Sequence, residues 1–216
     1  MTASNPVNTV YQYVKKKIES KAIFPGHRII EEDLTKQLGI SRTSVRSALS
    51  QLQNEGFVVI HPNKGTFVFK PTKEDFINIY HARRYLEMGA MSLAIPNMTN
   101  DIIQKLEQAI EAQKAMKDNF SITEYAVLNR SFHEEIVRAA KNDYYEKYLN
   151  EIYNKAYICL IFYDESRDNT GSLTTHSTML EAIKRKDIEA GIRAIERDIN
   201  LGCSDIFLSF FDQDSI

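Results

Sequence analysis

The chain has 216 residues, enough for one large domain or two smaller ones, and its 43% apolar and 26% charged residues exclude a disordered polyelectrolyte. No apolar run approaches the ~20 residues of a membrane span, and the stretch MTASNPVNTVYQYVKKK lacks the apolar segment of an export signal. Cys159 and Cys203 form no CxxC and no metal spacing, so they read as small core residues in the reducing cytoplasm, with no membrane partner. The net charge of -2 conceals an asymmetry: residues 1–70 carry 10 Lys/Arg against 5 Asp/Glu, while residues 71–216 carry 17 against 24. A basic third joined to an acidic two-thirds predicts two domains, 1–70 and 71–216, with different partners.

In chain order, Val7, Val10, Tyr11, Val14 and Ile18 recur at helical spacing over residues 5–22, and Pro25-Gly26 stops that helix. A second helix fits Glu31 to Leu38, its first turn holding Glu31, Glu32 and Asp33 where the helix dipole favours negative charge. Gly39 suits a left-handed end, and Ser41 caps a third helix running to about Asn54. Two β-rich runs, Phe57–Ile60 and Thr66–Phe69, then flank HPNKG as a hairpin.

Three helices and a ribbon make a winged helix-turn-helix. Leu34, Leu38, Val45, Leu49 and Leu52 form its inner stripe, while Arg42 and Arg46 stand one turn apart on the outer side of the third helix. Arginine there can hold guanine O6 and N7 together in the major groove. Thr43 and Ser44 are short enough to let the helix approach, and Lys64 and Gly65 at the ribbon tip can reach the adjacent groove or backbone. The alternatives are solvated arginines of no special role, or a winged helix that binds RNA or protein.

The stretch FPGHRIIEEDLTKQLGISRTSVRSALSQLQNEGFVVIHPNKGTFV resembles the DNA-binding domain of the GntR family of bacterial transcription regulators. The resemblance implies that Arg42, Thr43, Arg46 and Gly65 lie at the operator. Thr35 departs from the family's usual alanine. Glu32 stands where some relatives carry a DNA-touching arginine, so it is left out of the contact set.

After Lys70-Pro71, only helical patterns follow. Thr72 with Asp75 opens a long helix that Pro96 ends; Thr99 to about Lys117, Ser121 to Ala140 and Asp143 to about Tyr163 give three more. DESRDNTGS interrupts them, and Leu173–Arg185 and Asp187–Phe210 complete an all-α antiparallel bundle of six or so helices. The fold class is therefore mainly α.

Asn129 and His133 share one face of a helix, four positions apart, and His176 lies on another. Histidines from separate bundle helices either build a metal site or sit hydrogen-bonded in the core. The series RRYLE, NRSFHEEIVRAAKN and HSTMLEAIKRKDIEAGIRAIERD resembles the ligand-binding FCD domain of the FadR-type GntR branch, over about residues 73–212. The resemblance maps Asn129, His133 and His176 onto metal ligands, and the fourth position, 22 after His176, is Asp198 instead of histidine. One carboxylate is thus kept but moved to the other end of the site, and the amide of Asn129 is a weak neutral donor. Such a set would hold one divalent ion, with Zn, Ni and Mn not distinguished. The competing arrangement is a metal-free polar pocket in which Asp198 pairs with His133 or His176. Arg83 matches a family position that faces the effector, where its fork can take a carboxylate; otherwise it bridges to Glu87 one turn on.

These readings converge on the expectation of a homodimeric regulator, acting as a repressor, that binds a short palindromic operator in double-stranded DNA and answers to a small carboxylate effector. The alternative is a helical metal-dependent hydrolase fused to a nucleic-acid-binding module; HExxH and an adjacent His-Asp pair are both missing from the sequence.

Overall fold

A computed structural model describes residues 5–165 and 168–211, without the side chains of 205 and 207–211. The chain divides into two compact units, Met1–Thr72 and Lys73–Ile216. Among the described residues, no helix is long and apolar enough to cross a membrane.

The first unit contains α1 (Pro6–Glu19), β1 (Arg28–Ile29), α2 (Glu31–Leu38), α3 (Arg42–Asn54), β2 (Val58–His61) and β3 (Gly65–Val68). Each boundary has a local cause. The Asn5 side chain accepts from Val7 N at 3.1 Å with Pro6 at the first helical position, where its missing N–H costs nothing. Gly39 ends α2 in the left-handed region at φ 65°, and the Ser41 hydroxyl accepts from Ser44 N at 3.2 Å to start α3. Val10, Val14, Ile18, Val45, Ala48, Leu49, Leu52 and Phe57 close a dry core beneath the sheet. Leu38, expected in the inner stripe, is only half-buried.

The expected two-stranded ribbon is a three-stranded antiparallel sheet in the order β1-β3-β2. Arg28 pairs with Phe67 and Ile29 with Thr66, a strand too short to show alternation in sequence.

The second unit holds α4 (Lys73–Asn97), α5 (Asn100–Ala115), a 3-10 turn (Met116–Asp118), α6 (Ile122–Ala139), α7 (Asp143–Tyr163), α8 (Thr170–Lys184) and α9 (Ile188–Phe211). Thr99 and Ser121 cap α5 and α6, accepting from Ile102 N and Glu124 N. Pro96 lies inside the last turn of α4 instead of beyond it. The bundle is centred on Phe76, Met91, Ile95, Leu106, Phe132, Ile136, Leu149 and Ile158, all essentially without solvent contact. Helix α9 packs on both α4 and α8. A β-carbon at Gly191 would stand 2.6 Å from Ile95 Cδ1, so the missing side chain permits that close approach.

One boundary and one burial expectation are corrected. Helix α8 begins at Thr170, three residues before the predicted Leu173, so Ser172 is helical and turns its hydroxyl inward. Cys159 is fully buried as expected, whereas Cys203 is only partly so.

Candidate DNA interface and candidate metal centre

In the first unit Arg42, Thr43, Arg46 and Lys64 are exposed, and Ser44 and Gly65 are half-buried. Arg46 is not free: its Nε donates to Glu31 Oε2 at 2.8 Å. Ser44 is also engaged, its hydroxyl 3.0 Å from that of the capping Ser41. Lys64 and Gly65 sit at the ribbon tip, where Lys64 N donates to His61 O and Gly65 has φ 107°. Glu32 pairs with Lys36 at 2.8 Å. Thr35 donates its hydroxyl to Glu31 O at 3.0 Å, which accounts for a polar residue at that position.

In the second unit His133, His176 and Asp198 converge from α6, α8 and α9, all buried. His133 Nε2 lies 3.2 Å from Asp198 Oδ2, and His176 Nε2 lies 3.6 Å from Asp198 Oδ1. Each imidazole is oriented from behind. His133 Nδ1 is 2.6 Å from Glu87 Oε2, and His176 Nδ1 is 3.0 Å from Gln113 Oε1. Phe132 stacks on the His176 ring at 4.0 Å.

An acceptor at each Nδ1 fixes the ring, so Nε2 is the atom each histidine turns to the carboxylate. His133 Nε2 is buried and makes no hydrogen bond. Two imidazole nitrogens and a carboxylate oxygen therefore lie within 4.8 Å of one another, close enough to share one cation. That donor set fits a divalent ion of borderline character.

Asn129 belongs to the same wall. Its Oδ1 accepts from Ser172 Oγ at 3.2 Å and faces Tyr125 OH at 3.4 Å. Ser172 Oγ is also 3.4 Å from Asp198 Oδ1 and 3.5 Å from His176 Nε2, so one hydroxyl touches three of the four expected ligands. Thr175 donates its hydroxyl to Asp198 Oδ1.

Charge follows this geometry. Burial opposes the imidazolium of His133, but the Glu87 carboxylate outweighs it and raises His133 to about 8. Burial alone dominates at His176, pushing it down to about 3. Asp198 is held below the usual carboxylate range: burial opposes its charge, and the imidazoles and Thr175 overcome that. Glu87 is likewise held down, against burial, by Arg83 first and then His133.

The predicted effector residue Arg83 is buried, with Nε 2.5 Å from Glu87 Oε1. The bridge to Glu87 thus forms, yet Arg83 also lines a cavity of about 280 Å³ with Tyr80, Tyr125, Asn129, Ser172 and Asp198. Its terminal nitrogens make no hydrogen bond to protein among the described residues. The expected set is therefore brought together: Arg83, Asn129 and Asp198 on one wall, the histidines behind it. Glu87 was legible only as the partner of Arg83, and Gln113 carried no signal at all. Ser172 and His176 are four apart, a helical pair hidden by the late start expected for α8.

Residues 6–68 match the family described as "Bacterial regulatory proteins, gntR family", and residues 78–201 match the "FCD domain". The chain is 29% identical over 195 residues to the HTH-type transcriptional regulator YdhC of Bacillus subtilis, spanning 89% of this chain and 87% of that one. It is 30% identical over 163 residues to the Nta operon transcriptional regulator of Aminobacter aminovorans, 76% of this chain and 77% of the relative. The solved structure of McbR/YncC from E. coli superposes with a TM-score of 0.81 at 21% identity, over 96% of this chain and 98% of that one. These are regulators, and the hydrolase alternative has no support among them. With a matching helix-turn-helix head and a matching helical domain in the same order, the chain belongs to the GntR family of bacterial transcription regulators, in the group that carries an FCD domain.

Proposed function

We propose that this DNA-binding regulator is a homodimeric repressor in the cytoplasm, released from a short palindromic operator when a small organic acid enters the cavity of its helical domain. One observation carries the reading: Arg83, Asn129 and Asp198 face a single small cavity, with His133 and His176 directly behind. The volume is at the small end for ligand sites, which favours a compact acid over a long-chain one.

His133, His176 and Asp198 would hold a divalent ion, with Asn129 as a neutral oxygen donor. When bound, the ion supplies an electrophilic point for a carboxylate or hydroxyl oxygen. The chain's own residues do the rest. Arg83 turns its terminal nitrogens to a carboxylate, Ser172 and Tyr125 offer hydroxyls, and Glu87 and Gln113 fix the imidazoles. The ligand shifts the protein between DNA-bound and released arrangements only by its difference in affinity for them. Two-fold protein symmetry then asks for a palindrome.

The test is a fluorescence-anisotropy titration of a duplex from upstream of the protein's own gene, with and without a panel of small hydroxy, sugar and dicarboxylic acids. Tight binding to the palindrome that one acid weakens is the expected result. Equal affinity for any sequence, or indifference to every acid, overturns the reading.

A further inference from the structure

We infer that Arg28 is a DNA-phosphate anchor whose guanidinium lies over Gly65 at the tip of the wing. The inference goes beyond the recognition-helix contacts and rests on DNA binding by the winged helix. Strand β1 is only Arg28–Ile29, but both residues are paired to β3, so the backbone at Arg28 belongs to the sheet. Alternation sends Ile29 into the core and leaves Arg28 exposed. A β-carbon on Gly65 would stand 3.3 Å from Arg28 Nε, 3.5 Å from Nη2 and 3.8 Å from Cζ. The guanidinium therefore lies over Gly65, close enough that a β-carbon there would press on its Nε by a few tenths of an ångström.

The neighbouring charges leave this arginine unmatched. A groove here is lined by Arg28, Glu31, Glu32, Arg42, Gly65 and Thr66. Glu31 is paired with Arg46 and Glu32 with Lys36. Neither Arg28 nor Arg42 forms an ion pair within the protein among the described residues. Two guanidinium groups at one groove, between the start of α3 and the wing, call for an anion. With α3 as the base-reading element, the anion at its rim is the sugar-phosphate backbone, which positions the protein and carries no sequence information. This also answers what the basic excess of the first unit is for: part of it lies on the sheet, outside the recognition helix.

The test measures affinity for an operator duplex and a scrambled duplex over a series of salt concentrations. Arg28→Ala should weaken binding to both duplexes by the same factor and lower the slope of log K against log salt by about 1. Arg28→Lys should keep most of that slope. Gly65→Ala should weaken binding chiefly through its positive φ, with only a small shift of the guanidinium. Thermal melts identify any misfolded variant, and Arg28→Gln replaces Arg28→Ala in that case. An unchanged slope, or a loss confined to one base-pair position, overturns the inference. Wild-type protein that binds no duplex overturns the DNA-binding reading as well; wild-type binding indifferent to Arg28 overturns this inference alone.

Discussion

The carboxylate of Asp198 lies between two imidazoles, 3.2 Å from His133 Nε2 and 3.6 Å from His176 Nε2. Glu87 and Gln113 hold the far nitrogens of those rings, so both near nitrogens are aimed at the same carboxylate. The three groups offer ligand atoms within 4.8 Å of one another, an arrangement one cation can share.

Adding Zn, Ni or Mn to metal-stripped protein should therefore raise its melting temperature. At a free concentration of a hundred times Kd the stabilisation is about 2.7 kcal/mol. His176→Ala should abolish the shift, and Asp198→Asn, which removes the charged ligand, should abolish most of it. Elemental analysis of metal-replete wild-type protein that finds no ion, with no thermal shift, removes the metal centre.

Arg83 is the counter-charge of a buried carboxylate. Arg83→Ala should destabilise the helical domain by roughly 3 kcal/mol in urea unfolding, because buried Glu87 loses its guanidinium and keeps only the His133 ring. Adding Glu87→Gln should recover part of that loss. A single variant as stable as wild type would show that water, not Arg83, balances Glu87.

Arg46 must leave Glu31 to reach a base. Arg46→Ala should weaken operator binding by ~1–3 kcal/mol and relax one base preference. Glu31→Gln releases Arg46 without removing it, so the base preference should survive that change. Operator affinity and preference both untouched by Arg46→Ala would take the groove assignment away.

Burial pushes the Cys159 thiol up to about 12, so it stays protonated through pH 9. Iodoacetamide at pH 8 should leave Cys159 unmodified in folded protein and label it in urea. The thiol of Cys203, half-buried, is also raised and should react slowly. Peptide mass spectrometry reads both; rapid native labelling of Cys159 would place it outside the core.

Much of this was legible because caps and periods are local. Gly39 and Ser41 bracket the turn before α3 with conformations their own side chains dictate, so α2 and α3 start and stop where their residues require. What the sequence could not show was pairing across distance. Strand β1 consists of two residues whose one sheet partner among the described residues is β3. Ser172 was placed in a loop because its polar neighbours read as a breaker, while the hydrogen bond that Leu173 N donates to Asn169 O and those within α8 prevail. The position of Asp198 came from family resemblance; its approach to both histidines comes from the docking of α9.

That docking has a consequence for the order of assembly. Glu87 meets His133 across 46 positions of chain, and Gln113 meets His176 across 63. Contacts so remote in sequence form late, after the loops between them have closed. Asp198 comes from α9, the last described helix, so the trio is complete only once that helix has settled against α4 and α8. Ion uptake at this spot would thus time-stamp the end of folding, and a stopped-flow trace of metal capture would report when the final segment locks.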